Sequence, residues 1–332
     1  MDVPEPEPGP GQVGLRIASA SFCHSDIELL ALPANVPGMP VPVTLGHELA
    51  GWVDSLGPGV DGWEIGTPVA VHIIAGCRRC PACISGRHNV CEGGVIRTPG
   101  VHYDGGMAER TVVHAGDLVE LDGVDPSTAA PLTDAGLTAH HAVEWSRPLL
   151  GPRSVVLLIG VGGLGHLGLQ IVAATSAASV IAVDVDPARV ALAERLGATR
   201  AFISGPVVAE AVRDAAGGRG VDVVLDFVGT QDSVDLAVDV VRRGGMIVVT
   251  GMGGGVVPIM HGFGGPSRRV PPETPVVASF AGDRMDLVGV LGLARRGLVH
   301  VESTSFPLSG AAAAFAQFGA GRVLGRTLVV PS

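Results

Sequence analysis

The sequence predicts an α/β protein in two parts, an all-β, barrel-like module followed by a doubly wound parallel sheet. Short β-rich segments separated by turns run from residue 13 to about 121 with no long helical period. Beyond about residue 135, fully apolar strands alternate with segments of helical spacing, the pattern of a parallel sheet covered on both faces. A glycine-rich turn joins the first of those strands to the first of those helices. At 332 residues the chain exceeds one ordinary core, so two domains are expected: residues 1–136 with 281–332, and residues 137–280.

The elements follow in order. After a Pro/Gly-rich opening, Val13-Gly14-Leu15-Arg16-Ile17 reads as a strand leading to a corner at Cys23. Val41–Leu45, Ala50–Leu56, Pro68–Ile74, Ala108–Val113 and Leu118–Leu121 read as further short strands. Val155–Gly160 is an apolar strand, Gly165–Ala174 has helical spacing, and Val180–Asp184 is the next strand. Ala188–Leu196 reads as a helix stopped by Gly197. Val221–Phe227, Ser233–Val241 and Met246–Gly251 continue the alternation. A helix over Met285–Ala294 and short strands then return to the first module.

Composition narrows the function. With 22 basic against 32 acidic residues the net charge is -10, and no Lys/Arg-rich run occurs, which argues against a nucleic-acid partner. An apolar content of 47% with only 16% charged residues suits a large core and buried subunit contacts. Residues 1–6 have neither a basic nor an apolar region of the secretory kind. Ser154–Val185 is apolar enough to suggest a membrane span, but five glycines interrupt it and Asp184 and Asp186 close it. A strand, turn, helix and second strand explain it better. A reducing cytoplasmic setting is expected, and there clustered cysteines read as metal ligands and not disulfides.

Cys77-x2-Cys80-x2-Cys83-x7-Cys91 places four thiols in one short loop, enough to close a tetrahedral shell around a structural zinc. A redox C-x-x-C is the competing reading, but redox pairs do not come as a triplet plus a fourth. The fifth cysteine opens Cys23-His24-Ser25-Asp26. A Cys, His and carboxylate set with one vacant position is how a catalytic zinc is built.

Gly160-Val161-Gly162-Gly163-Leu164-Gly165 fits G-x-G-x-x-G between a strand and a helix, with Asp184 at the end of the next strand. In that context the motif reads as a dinucleotide site. The first glycine permits the turn, Gly162 lets the backbone approach a pyrophosphate, and Gly165 allows close helix–strand packing. Asp184 is expected on the adenosine ribose, and with Asp186 beside it and Arg189 the nearest cation, NAD is expected over NADP.

Cys23-His24-Ser25-Asp26, Gly46-His47-Glu48, the four-cysteine loop and the glycine turn follow one another as in the zinc-dependent medium-chain alcohol dehydrogenases. From about residue 10 to its end the chain resembles that family. It looks most like the bacterial NAD-dependent secondary alcohol dehydrogenases, which carry a stretch similar to Pro131-Leu132-Thr133-Asp134-Ala135-Gly136-Leu137-Thr138. The resemblance implies a GroES-like β-barrel catalytic domain (1–136 and 281–332) and a Rossmann NAD-binding domain (137–280). It makes Cys23, His47 and Asp134 the catalytic zinc ligands, with Glu48 able to enter the metal shell, where many relatives have Cys in place of Asp134. A second zinc falls to Cys77, Cys80, Cys83 and Cys91. Ser25 and His24 become a proton path, Arg189 a holder of the ribose, and Arg326 a partner of the cofactor pyrophosphate. Ile73, Trp52 and Met252 are candidate apolar pocket residues. The nine histidines other than His24 and His47, His166 and His300 among them, read as structural.

The activity implied is oxidation of a secondary or medium-chain alcohol to its ketone or aldehyde with hydride transfer to NAD, in a homodimer or homotetramer. A polyol or amino-alcohol dehydrogenase of the same architecture is the alternative, and a non-catalytic NAD-binding protein a distant third. Relatives carry a further strand ahead of the segment matching residues 3–12. They often use the region of Met252–Thr274 for subunit contacts and the pocket rim.

Overall fold

The computed structural model describes residues 3–33, 36, 38–94, 96–260 and 269–331. The chain divides into two compact units. The first comprises Met1–Leu137, Ala281–Gly297 and Val301–Ser332, and the second Thr138–Phe280 with Leu298–His300. In chain order the strands are β1 (Gln12–Phe22), β2 (Glu48–Leu56), β3 (Pro68–Val71), β4 (Arg110–His114), β5 (Leu118–Glu120), β6 (Val155–Ile159), β7 (Ser179–Asp184), β8 (Arg200–Ile203), β9 (Val221–Asp226), β10 (Val241–Val249), β11 (Val276–Ala278), β12 (Ser303–Pro307) and β13 (Arg326–Val330).

The first unit is organised by β1, which pairs antiparallel with β2, β4 and β13. The full order is β12-β13-β1-β2-β3-β5, with β4 on β1. Register shifts between β1 and β2, at Gly14/Leu15 and Ile17/Ser19, bend the sheet as bulges do. Gly51 lies at this crossing, where a Cβ would stand 2.1 Å from the Arg16 carbonyl oxygen, so only glycine fits. The curl brings Val13, Leu15, Ile17, Leu49, Val53, Val69, Val71, Val113 and Leu118 into one buried cluster, each such side chain contributing about 1.5–3 kcal/mol.

Two expectations for this unit are corrected. Val41–Leu45 is not a strand. Pro40 and Pro42 remove two ladder donors; the carbonyls of Thr44, Leu45 and Gly46 bond instead to the amides of Gly105, Met107 and Gly106, and the Thr44 amide donates to Asp104 Oδ1 at 2.7 Å. The unit is also not all-β. The Cys23 corner opens a helix over His24–Ala31, and a further helix covers Ala311–Gly319. The first is short, and the second, rich in alanine, has strong helix propensity but little apolar periodicity to reveal it.

The second unit is a six-stranded parallel sheet ordered β11-β10-β9-β6-β7-β8. Chain order reverses between β6 and β9, which puts the switch-point crevice at their carboxyl ends. Helices Gly165–Thr175, Pro187–Arg195, Val208–Ala215 and Gln231–Val240 connect the strands. Gly197, at φ +101°, follows the second of them as expected. The apolar stretch from Ser154 therefore folds as β6, a helix and β7, and among the described residues no helix is long and apolar enough to cross a membrane. Residues 261–268, part of the Met252–Thr274 region, lie outside the described residues.

At the amino ends of β6 and β9, Asp222 joins three segments. It accepts from the Val155 amide at 2.8 Å, from Arg219 at 2.6 and 3.0 Å, and from Arg242 at 2.7 Å. Burial opposes its charge, but Arg219, the Val155 amide and Arg242 together hold the carboxyl below its usual range. The folded group binds its proton less tightly than the unfolded one, so this stability is full above about pH 4 and is lost as pH falls through the folded value. Asp222→Asn is expected to cost about 1–3 kcal/mol at pH 7 and to flatten the acid limb of stability below about pH 4. Urea unfolding across a pH series measures both, and parallel acid limbs for the two proteins would contradict the assignment.

Candidate metal centres and nucleotide site

One donor atom each from Cys23, His47, Glu48 and Asp134 lies within 4.8 Å of the others. Three pieces of local structure deliver them. Cys23 is the N-cap of the helix His24–Ala31, with extended backbone at φ -114° and ψ 158°. His47 and Glu48 stand at the entry to β2, and Asp134 follows the short 3-10 turn Ala130–Thr133.

Asp26, absent from the sequence-level candidates, organises this group. It is fully buried. Its Oδ2 accepts the Cys23 backbone N–H at 2.9 Å, and its Oδ1 stands 3.3 Å from His47 Nδ1 without hydrogen-bond alignment. With Nδ1 turned to a carboxylate, Nε2 is the nitrogen left for a metal. Nε2 lies 3.5 Å from Asp134 Oδ2 and 3.4 Å from Ser25 Oγ. Two ligands of one tetrahedral zinc stand about 3.4 Å apart when each is about 2.1 Å from the ion, so the His47–Asp134 edge fits. A carboxylate three residues after a helix-capping position is the signal that could have revealed Asp26.

The electrostatics point the same way. Burial works against a charged His47, yet Asp134, Asp26 and Cys23 outweigh it and lift the imidazole well above its usual 6.5. Burial also opposes ionisation of Asp134, but His47 and Arg326 hold it well below the usual carboxylate range. Glu48 is pushed by burial up to about 7, against the pull of Arg326, and its Oε2 is a buried oxygen with no hydrogen-bond partner among the described residues. Four acidic side chains, Cys23, Asp26, Glu48 and Asp134, thus surround one imidazole, a donor set suited to a divalent cation.

Arg326, expected at the pyrophosphate, is only 3% exposed and pairs through Nη2 with Glu48 Oε1. His24 is exposed, its ring edge-on to Phe318 at 6.1 Å. Trp52 lies beneath the Arg16 guanidinium, 4.0 Å from the ring centre. Ile73 is buried and Met252 is 67% exposed.

Cys77, Cys80, Cys83 and Cys91 bring their sulfurs within 4.8 Å of one another. The Cys77–Cys83 separation of 4.0 Å compares with about 3.8 Å between sulfurs on one tetrahedral zinc and about 2.05 Å in a disulfide. Backbone amides of Cys77 and Cys83 point at the sulfurs of Cys91 and Cys80, and the Cys83 amide draws the Cys80 thiol below its usual range. At Gly76 a Cβ would stand 2.5 Å from Cys83 Sγ, so the cradle is cut to sulfur size.

In the second unit Gly160, at φ +86°, ends β6 and Leu164 precedes the helix Gly165–Thr175. A Cβ on Gly165 would stand 1.7 Å from the Gly160 oxygen. On Gly162 it would meet nothing nearer than Arg189 Nη1 at 3.9 Å, so the turn is open on that side. Asp184 accepts from the Val161 amide at 2.7 Å and the Asp186 amide at 3.0 Å, fixing the turn to the end of β7. Arg189 stands 3.9 Å from both Asp184 and Asp186.

Fold and donors define a zinc-binding dehydrogenase with a dinucleotide domain. The sequence matches the alcohol dehydrogenase GroES-like domain over residues 9–123 and the zinc-binding dehydrogenase domain over residues 163–293. It is 31% identical over 348 residues to an NAD-dependent alcohol dehydrogenase of Sulfurisphaera tokodaii, covering 99% of this chain and 95% of that one. It is 33% identical over 265 residues to an L-threonine 3-dehydrogenase of Pyrococcus horikoshii, covering 78% and 74%. The crystal structure of the alcohol dehydrogenase from Aeropyrum pernix superimposes with a TM-score of 0.87 at 33% identity, covering 100% of this chain and 96% of the other. The chain belongs to the zinc-dependent medium-chain alcohol dehydrogenase family.

Asp26→Ala is expected to weaken metal binding at the Cys23 site by about 10–100-fold while the four-cysteine site keeps its ion. Zinc counted per chain after dialysis against a mild chelator then falls from two, one for each donor cluster, to one. Retention of both ions would remove Asp26 from the site.

Proposed function

We propose that this protein is a zinc-dependent oxidoreductase that interconverts secondary or medium-chain alcohols with their ketones or aldehydes using NAD. The observation that carries this reading is the meeting of Cys23, His47, Glu48 and Asp134 donors within 4.8 Å. When bound, zinc supplies Lewis acidity toward the substrate oxygen and NAD supplies the hydride acceptor.

In this reading Cys23, His47 and Asp134 hold the ion, with Asp26 behind the ring of His47. Asp134 in place of a second thiolate leaves the ion more electron-poor. Glu48, pinned by Arg326, is a reserve carboxylate for the metal shell. Ser25 Oγ, beside His47 Nε2, would accept the proton of the substrate hydroxyl while passing its own hydroxyl proton on, and the exposed His24 would take that proton and release it to water. Gly160, Gly162, Gly163, Leu164 and Gly165 form the pyrophosphate seat, aided by the helix N-terminus, while Asp184 and Arg189 face the adenosine ribose. Cys77, Cys80, Cys83 and Cys91 hold a second zinc that stabilises the fold. The reading extends to a cytosolic homodimer or homotetramer, supported by exposed Met252, Val256 and Ile259 in the second unit.

A second reading, an amino-alcohol or polyol dehydrogenase, draws support from the likeness to the L-threonine 3-dehydrogenase. NAD reduction over 2-alkanols, benzylic alcohols, polyols and L-threonine separates the two, and turnover of L-threonine alone would select the second. With the preferred alcohol, Ser25→Ala is expected to lower kcat more than about tenfold with zinc content intact, and an unchanged kcat would remove Ser25 from the proton path. The Asp184 and Asp186 carboxylates should also repel a 2′-phosphate, giving NAD a kcat/KM at least about tenfold above that for NADP. Equal values would contradict that role.

A further inference from the structure

Gln170 is a buried polar residue in the middle of the cofactor helix Gly165–Thr175, only 5% exposed among Leu167, Leu169, Ile171 and Val172. Burying an amide costs several kcal/mol unless it is hydrogen-bonded, and here both ends are used. Oε1 accepts the His300 N–H at 2.9 Å, and Nε2 donates to the His300 carbonyl at 2.9 Å and to the His166 carbonyl at 2.9 Å. A donor on one side and carbonyls on the other fix which end of the amide is which. His166 is itself fully buried, with Nδ1 2.9 Å from the Gly162 carbonyl oxygen. A carbonyl only accepts, so Nδ1 carries the hydrogen.

A continuous hydrogen-bonded line thus runs from Gly162 in the phosphate turn, through His166 and Gln170, to both backbone groups of His300. His300 ends the three-residue stretch Leu298–His300, which joins the second unit while Gly297 and Val301 on either side of it belong to the first. The residue held is therefore one at which the chain changes units. An apolar side chain would suit this helix better, so the amide is explained by what it ties.

We propose that Gln170 is a positioning residue that couples the cofactor turn to Leu298–His300, so that NAD on the turn stiffens the crossing stretch. The proposal rests on the reading that NAD binds at the Gly160–Gly165 turn. A phosphate held by the turn's N–H groups fixes its peptide planes, the Gly162 carbonyl included, and the line carries that constraint to His300.

The test uses the full-length, zinc-loaded protein, with amide hydrogen exchange at residues 298–300 measured with and without saturating NAD and binding followed by calorimetry on the same samples. NAD is expected to slow exchange at His300 by about tenfold or more in the native protein and by less than about twofold in Gln170→Met. His166→Leu removes the imidazole bond to Gly162 but keeps the 3.1 Å bond from the His166 backbone N–H to the same carbonyl and the Gln170–His300 bonds, so it should at least halve the slowing, and it serves if Gln170→Met does not fold. A merely structural Gln170 would raise exchange equally in both states and leave the NAD-dependent difference intact, which overturns the proposal. So does NAD that binds the native protein without slowing His300. NAD that does not bind at all overturns the cofactor reading together with it.

Discussion

Asp26 places its two carboxylate oxygens on two different elements, the amide of Cys23 at a helix start and the ring of His47 at a strand entry. The proposed metal centre depends on that bridge. Cys23 and His47 are far apart in sequence and belong to elements that could shift against one another. A fully buried carboxylate cannot tolerate such a shift, because losing either partner leaves charge in a dry interior. The cost of burying Asp26 is what holds the thiol and the imidazole in one register.

Charge governs the rest of the first unit's interior. Glu48 and Arg326 are both buried and paired, joining β2 to β13 beside the site. The strand pairing makes this unavoidable: Ser21 of β1 faces Glu48 on one side and Leu328 on the other, so β2 and β13 flank the same end of β1. Arg326 neutralises a carboxylate that would otherwise add to the repulsion around Asp134. In the proposed zinc site, a cationic side chain and the metal would divide the negative charge between them.

Much of this was legible in the sequence because glycine and cysteine spacing are local. The four-cysteine loop, the glycine turn and the alternation of the second unit could each be read from residues within a few turns of one another. Gly197 stopping its helix and the strand-end position of Asp184 belong to the same class. Long-range pairing was not legible. Nothing near Arg326 announces Glu48, 278 residues away, and family resemblance pointed Arg326 at the cofactor instead. Asp26 stood inside a motif already noted, but its partner ring lies 21 positions on, at His47. The prolines that removed Val41–Leu45 from the sheet were visible, yet hydropathy spoke louder.

One group of glycines gathers at the carboxyl ends of β6, β9 and β10. A Cβ on Gly165 would collide with the Gly160 oxygen, one on Gly251 would stand 2.1 Å from the Val228 carbonyl carbon, and one on Gly229 2.0 Å from the Gly251 oxygen. Here backbone packs on backbone, with Gly253 and Gly255 bonding to the carbonyls of Val228 and Gly229. Such contact leaves few side-chain atoms between the strand ends and the crevice, which a ligand that binds through backbone N–H groups requires. It also removes the side-chain interlocking that makes a protein interior rigid. Rigidity must then come from hydrogen bonds that fasten the bare backbone to its surroundings. Asp184 does this from β7 and Asp226 from β9, the latter accepting from Val228, Gly229 and Ser233, while the His166–Gln170 line does it from the helix. A cofactor cradle built of glycine needs buried polar side chains behind it, and their presence in so apolar a sheet follows from that need.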